Sequence, residues 1–237
     1  MPRVANNIRP TPEEIQFHCL TQGSIGRGTC DLYLHQGHNR FIGRWKFDSV
    51  IPYSIDYKSF STKGRSKRDA NYALKSLQTA LGVWNSFNIG VQFKFVKPNA
   101  SPIVFKLKYK HEPEDGDTDL KVFAESFFPA RAMLRRRPCK LYIFGVSFER
   151  SFRRYMMRTF LHEAAHILGG RHENPAPADR GYPFVLLDSQ NDMSVLVTHR
   201  HPRTISMHWQ DIKSFSDFMS LPEGHKINGV PIRDIVP

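Results

Sequence analysis

The residues best suited to chemistry are His162-Glu163-Ala164-Ala165-His166, followed by Ile167-Leu168-Gly169-Gly170-Arg171-His172. Histidines four residues apart lie on one face of a helix, one turn apart, so both imidazoles can reach a single ion. Glu163 lies about 100° around the helix axis from His162, which lets its carboxylate reach a water on that ion without coordinating it. Gly169 allows a left-handed break that side chains resist, and the turn brings His172 back under the ion. Three neutral imidazoles leave the fourth tetrahedral position of Zn2+ open to water, as a catalytic site requires. The expectation is one catalytic zinc ion on His162, His166 and His172, with Glu163 as general base.

Those residues need a helix beneath them, and the pattern supplies one from about Phe148 to Leu168, stopped by Gly169-Gly170. A second helix over 67–87 follows from Ala73, Leu74, Leu77, Ala80, Leu81 and Trp84 at helical spacing, ended by Asn88-Ile89-Gly90. Ser206 to Phe218 predicts a third. Strands are expected at Arg44–Ile55, with Pro52 at an edge or bulge, and at Val91–Val96, Pro102–Leu107, Val122–Pro129 and Leu141–Phe144. Glu112 to Asp119 reads as an acidic surface loop. Residues 1–40 hold four glycines and no sustained periodicity, which suggests an irregular lead-in.

HEAAHILGGRH matches the HExxHxxGxxH pattern, and in it the chain resembles the metzincin zinc peptidases. Glu173 directly after the third histidine is similar to the astacin branch. Trp45 with Ile51-Pro52-Tyr53 resembles the first strand of astacin-like domains. Phe123-Ala124-Glu125-Ser126-Phe127-Phe128-Pro129 looks like the substrate-side edge strand of matrixin-like ones. Ile205-Ser206 through Gln210-Asp211-Ile212 is similar to the closing helix of both. The resemblance implies an α/β (α+β) metzincin-like zinc peptidase domain, a twisted mixed sheet with an active-site helix and a C-terminal helix. It further implies cleavage of peptide bonds in a peptide or protein substrate, lying extended beside residues 122–129. The corresponding division is an N-terminal lead-in at 1–40, a catalytic domain at 41–222 and a C-terminal tail at 223–237.

Metzincins place a methionine turn beneath the metal, and here two registers compete. Met193 supplies the sulfur, whereas Ser194-Val195-Leu196-Val197-Thr198 fits the astacin-like pattern with Leu196 for methionine and Thr198 for tyrosine. Losing that phenol removes a donor worth about a hundredfold in rate. One alternative function is therefore a catalytically impaired zinc-binding domain that engages protein partners.

The 34 Lys and Arg outnumber the 22 Asp and Glu for a net charge of +12, which motivates a second alternative, an intracellular nucleic-acid-associated metalloprotein. Arg135-Arg136-Arg137 with Lys140, and Arg150, Arg153, Arg154 and Arg158, form two basic groups, the second with a Glu149–Arg153 pair one helical turn apart. Cys19, Cys30 and Cys139 exclude a disulfide-dense scaffold, and Cys19 or Cys30 is a candidate cap for the zinc in a latent form. The other eight histidines lack ligand spacing, with His199 and His201 the nearest to the motif's far side. No run approaches the roughly 18 apolar residues of a membrane span. Family resemblance suggests secretion, while MPRVANNIRPTPEE carries no apolar leader core, which leaves a cytoplasmic location open as the alternative.

Overall fold

Alternation and helical spacing resolve into eleven strands and four α-helices among the described residues. These residues, in a computed structural model, are 18–22, 33–35, 41–112, 121–130, 138–172, 184–186, 193–197 and 201–237. The order is β1 (His18–Gln22), β2 (Tyr33–His35), β3 (Ile42–Trp45), β4 (Ser49–Ile55), α1 (Tyr57–Ser61), α2 (Lys67–Ser86), β5 (Val91–Phe95) and β6 (Phe105–Lys110). Then come β7 (Val122–Phe127), β8 (Cys139–Phe144), α3 (Met156–Ile167), β9 (Phe184–Leu186), α4 (Trp209–Ser220), β10 (Lys226–Ile227) and β11 (Val230–Ile235).

Six strands form one mixed sheet in the order β1-β7-β8-β6-β4-β5, parallel throughout except for the β7–β8 pair. In β6, Phe105, Leu107 and Tyr109 turn inward while Lys106, Lys108 and Lys110 stay on the wetter face. That period of two sends one face of the sheet against the helices. Ala73, Leu77, Ala80, Leu81 and Trp84 of α2 are buried there, as the spacing predicts. Ser66 caps the helix by accepting from the Asp69 N–H at 3.1 Å, and Asn88 (φ 50°) and Gly90 (φ 91°) end it. A second sheet, β10-β11-β3, carries the C-terminal strand onto residues 42–45 in parallel.

Several boundaries differ from the sequence reading. The helix expected from Phe148 begins at Met156, preceded by two 3-10 turns at Gly145–Phe148 and Arg153–Tyr155. Phe152 is drawn into the core edge-on to Phe123, at 5.0 Å between centroids, and α3 starts without a side-chain cap. The Glu149–Arg153 pair therefore does not form: Arg153 bonds Asp69 at 2.8 Å and Glu149 faces Lys121 at 3.6 Å. The third strand runs over 105–110 rather than 102–107, and the last helix begins at Trp209 rather than Ser206.

Pro52 lies in an interior strand, not at an edge. Its carbonyl accepts from the Val104 N–H on the β6 side, and β6 pairs with β4 only from Tyr53 onward. The missing donor thus falls where the ladder has not begun. The strand at 122–127 is likewise not the sheet edge. β1, within the stretch read as irregular, pairs in parallel along its full length, so the pairing positions expected to receive a substrate are occupied by the chain's own backbone. The acidic stretch is described only to Glu112. Cys30 and Arg135-Arg136-Arg137 lie outside the described residues, as do Glu173, Thr198 and His199.

Candidate metal centre

Two tryptophans hold the helix that carries the motif. Trp84 of α2 donates its indole N–H to the Leu161 carbonyl at 3.1 Å, and Trp45 of β3 donates to the Ile167 carbonyl at 2.7 Å. The second bond satisfies one of the carbonyls that every helix leaves open at its C-terminus. Gly169 and Gly170 complete the ending: Gly170 N–H reaches the Ala165 carbonyl at 3.0 Å and Gly169 N–H the His166 carbonyl at 2.9 Å. This six-to-one and five-to-two pairing needs a left-handed residue at the first position. Gly169 fills it with φ 111°.

The turn delivers what the spacing predicts. His162, His166 and His172 bring their Nε2 atoms to 3.1, 3.1 and 3.2 Å from one another. His162 Nδ1 lies 2.6 Å from the Val195 carbonyl, and His166 Nδ1 2.8 Å from the Gly170 carbonyl. A carbonyl only accepts, so both Nδ1 atoms carry the proton and both Nε2 atoms turn lone pairs inward. Burial pushes His166 down to about 4, the Arg171 guanidinium adds to the shift, and the Gly170 bond opposes it. Near neutrality the ring is uncharged. Lone pairs this close repel unless a cation lies between them, and these three nitrogens can hold a metal ion. Zinc fits: bonds of about 2.0–2.1 Å at tetrahedral angles set nitrogens about 3.3 Å apart, within a few tenths of an ångström of this triangle.

Glu163, adjoining His162, is fully buried. Phe128 closes on His166 edge-on at 5.9 Å and is itself buried. Beneath the site lies Leu196, with no exposed surface, whereas Met193 is 61% exposed. A Cβ on Gly170 would meet Leu196 Cδ1 at 2.6 Å and Phe215 Cζ at 2.7 Å, so Leu196 occupies the apolar floor directly under the end of α3. Of the two turn registers, the one centred on Leu196 underlies the histidines.

The remaining candidates disperse. His201 packs between the rings of Phe152 and Tyr155 at 5.5 and 5.3 Å and accepts the Arg203 N–H at 3.0 Å, a structural role. His208 caps α4. Arg158 holds the carbonyls of Arg203 and Ile205. Cys139 is a buried thiol in β8. The residue that sequence reasoning missed is Asp211. It is 1% exposed, and its Oδ2 accepts both the Val195 N–H at 3.0 Å and the His208 N–H at 2.8 Å. The available signal was local: an acid three residues into a helix whose N-cap is His208.

The fold is similar to that of myroilysin. One structure of that protein aligns with a TM-score of 0.50 at 12% identity, over 76% of this chain and 96% of the other. A second, a crystal structure of myroilysin, gives 0.39 at 17% identity over 69% and 58%. No family model matches the chain, and no curated protein matches its sequence. The first likeness shows an α/β fold of the kind seen in myroilysin.

Proposed function

We propose that the chain is a zinc-dependent endopeptidase, with His162, His166 and His172 as metal ligands and Glu163 as general base. The observation that carries this reading is the convergence of three Nε2 atoms at 3.1–3.2 Å, two of them on rings whose Nδ1 protons are already given to carbonyls. The myroilysin-like fold supports it by setting these rings at the end of a helix beneath a mixed sheet.

Zinc, when bound, supplies Lewis acidity toward the scissile carbonyl and lowers the pKa of water toward neutrality. Glu163 accepts the proton of the attacking water and passes it to the leaving amine, which takes a carboxylate that stays off the metal. Its burial beside His162 keeps bulk water from competing for that proton. Phe128 packs edge-on against the His166 ring and Leu196 packs under Gly170 at the end of α3, which favours a preorganised site.

The decisive comparison is between parent and Glu163→Ala acting on a denatured protein substrate, with metal content measured for both. Zinc at one equivalent in each protein is expected, with turnover falling by about 10²–10⁴-fold in the variant. Equal rates would exclude Glu163 as the base. Zinc uptake without turnover in the parent would favour the zinc-binding interaction domain that Leu196 and Thr198 suggest.

A further inference from the structure

We infer that Asp211 is a positioning residue for the metal ligand His162, acting through the turn at 194–197; the inference rests on the zinc reading above. The His162 ring is oriented by its bond from Nδ1–H to the Val195 carbonyl at 2.6 Å. Val195 belongs to no helix or strand, so something else must fix it. Its own N–H goes to Asp211 Oδ2 at 3.0 Å.

That oxygen does two things. It caps α4 through the His208 N–H at 2.8 Å, and it reaches 16 residues back to the turn. Capping alone does not call for a buried group: at the start of α2 the exposed Ser66 hydroxyl caps by accepting the Asp69 N–H at 3.1 Å. Asp211 is instead buried to 1% exposure, a costly place for a carboxylate that gives only a cap. The second contact accounts for the burial. Ser194 stiffens the same turn by accepting the Leu196 N–H at 3.1 Å. Without the carboxylate, the buried Val195 N–H and the half-buried His208 N–H lose their acceptor, Val195 is free to shift, and the carbonyl that aims His162 shifts with it. Groups that orient ligand histidines in this way are worth about 10–100-fold in metal affinity.

The test is zinc affinity, read by competition with a chromophoric chelator at pH 7 on full-length protein held well below its unfolding temperature. Asp211→Ala is expected to weaken zinc by about 10–100-fold. Asp211→Asn places one amide oxygen where Oδ2 stood and should stay within about threefold, because position rather than charge is what the turn needs. Asp211→Glu keeps the charge but moves the oxygen by a methylene, and should weaken zinc about tenfold or more; it stands in for the alanine variant if that protein does not fold. The visible spectrum of the Co2+-loaded proteins provides a second readout, altered in the Ala and Glu variants and retained in Asn. A role confined to stability predicts lower unfolding temperatures with zinc affinity and spectrum unchanged, and that result overturns the inference while leaving the metal site standing. A parent protein that takes up no zinc overturns the reading beneath it.

Discussion

At His166 the requirements of folding and of metal binding coincide. The ring is wholly buried and must be neutral both to fit its surroundings and to offer Nε2 inward. Its folded pKa is pushed down to about 4 from 6.5, so between those values the unfolded chain binds a proton that the folded chain refuses. The contribution is fully present above pH 6.5 and is lost as pH falls through about 4, amounting to about 3 kcal/mol. Asp211 works in the opposite sense: burial raises its pKa despite bonds from Ser194, His208 and Val195, so acidification relieves it. Urea unfolding of the metal-stripped protein at pH 7 and pH 4 should show the net loss. Replacing His166 with an apolar ring such as Phe should flatten the acid limb of that profile, and an unchanged limb would assign it to other groups.

One level up, the element that matters is the end of α3, where local sequence and tertiary support agree. The motif, the helix under it and the glycine stop were all legible because each is written in residues close together. The upstream end was not. Phe148 and Phe152 carry helix-compatible spacing, yet both are pulled into the core, and the segment becomes 3-10 turns. The Leu196 register was legible only as an alternative, since the choice depends on which side chain fits against Gly170. Gly169 itself is a sharp test of the ending. At φ 111°, with Gly43 carbonyl and Pro129 within 3.6–3.8 Å of a virtual Cβ, the obstacle to Gly169→Ala is conformational rather than steric. That variant should lose about 1–2 kcal/mol of stability by urea unfolding and weaken zinc, because His172 depends on the turn. A variant as stable as the parent would mean that the helix can end another way.

At the scale of the whole molecule, the arrangement depends on contacts between distant parts of the chain that no periodicity announces. β1 covers β7, and the C-terminal strand β11 lies on β3, pairings separated by about a hundred residues or more. Residues 223–237 were readable only as a C-terminal tail, because strand partners are set by which open backbone edges meet, and single-strand patterns do not record that. Arg44 ties these regions together. Its guanidinium is 1% exposed, bonds Asp234 of β11 at 2.9 Å through Nε, and donates to the carbonyls of Phe218, Met219 and Leu221 where α4 ends. It thus links β3, which supplies Trp45 to the helix of His162 and His166, to α4, which supplies Asp211 to the turn at 194–197. Removing the anion from a buried pair leaves a cation stranded in low dielectric, so Asp234→Ala should cost about 3 kcal/mol in unfolding free energy. Arg44→Met should cost at least as much, since three carbonyls at the end of α4 lose their donor along with the ion pair. The double variant should recover little over Arg44→Met alone. Full recovery would show that Arg44 serves only the ion pair and that the helix end is satisfied without it.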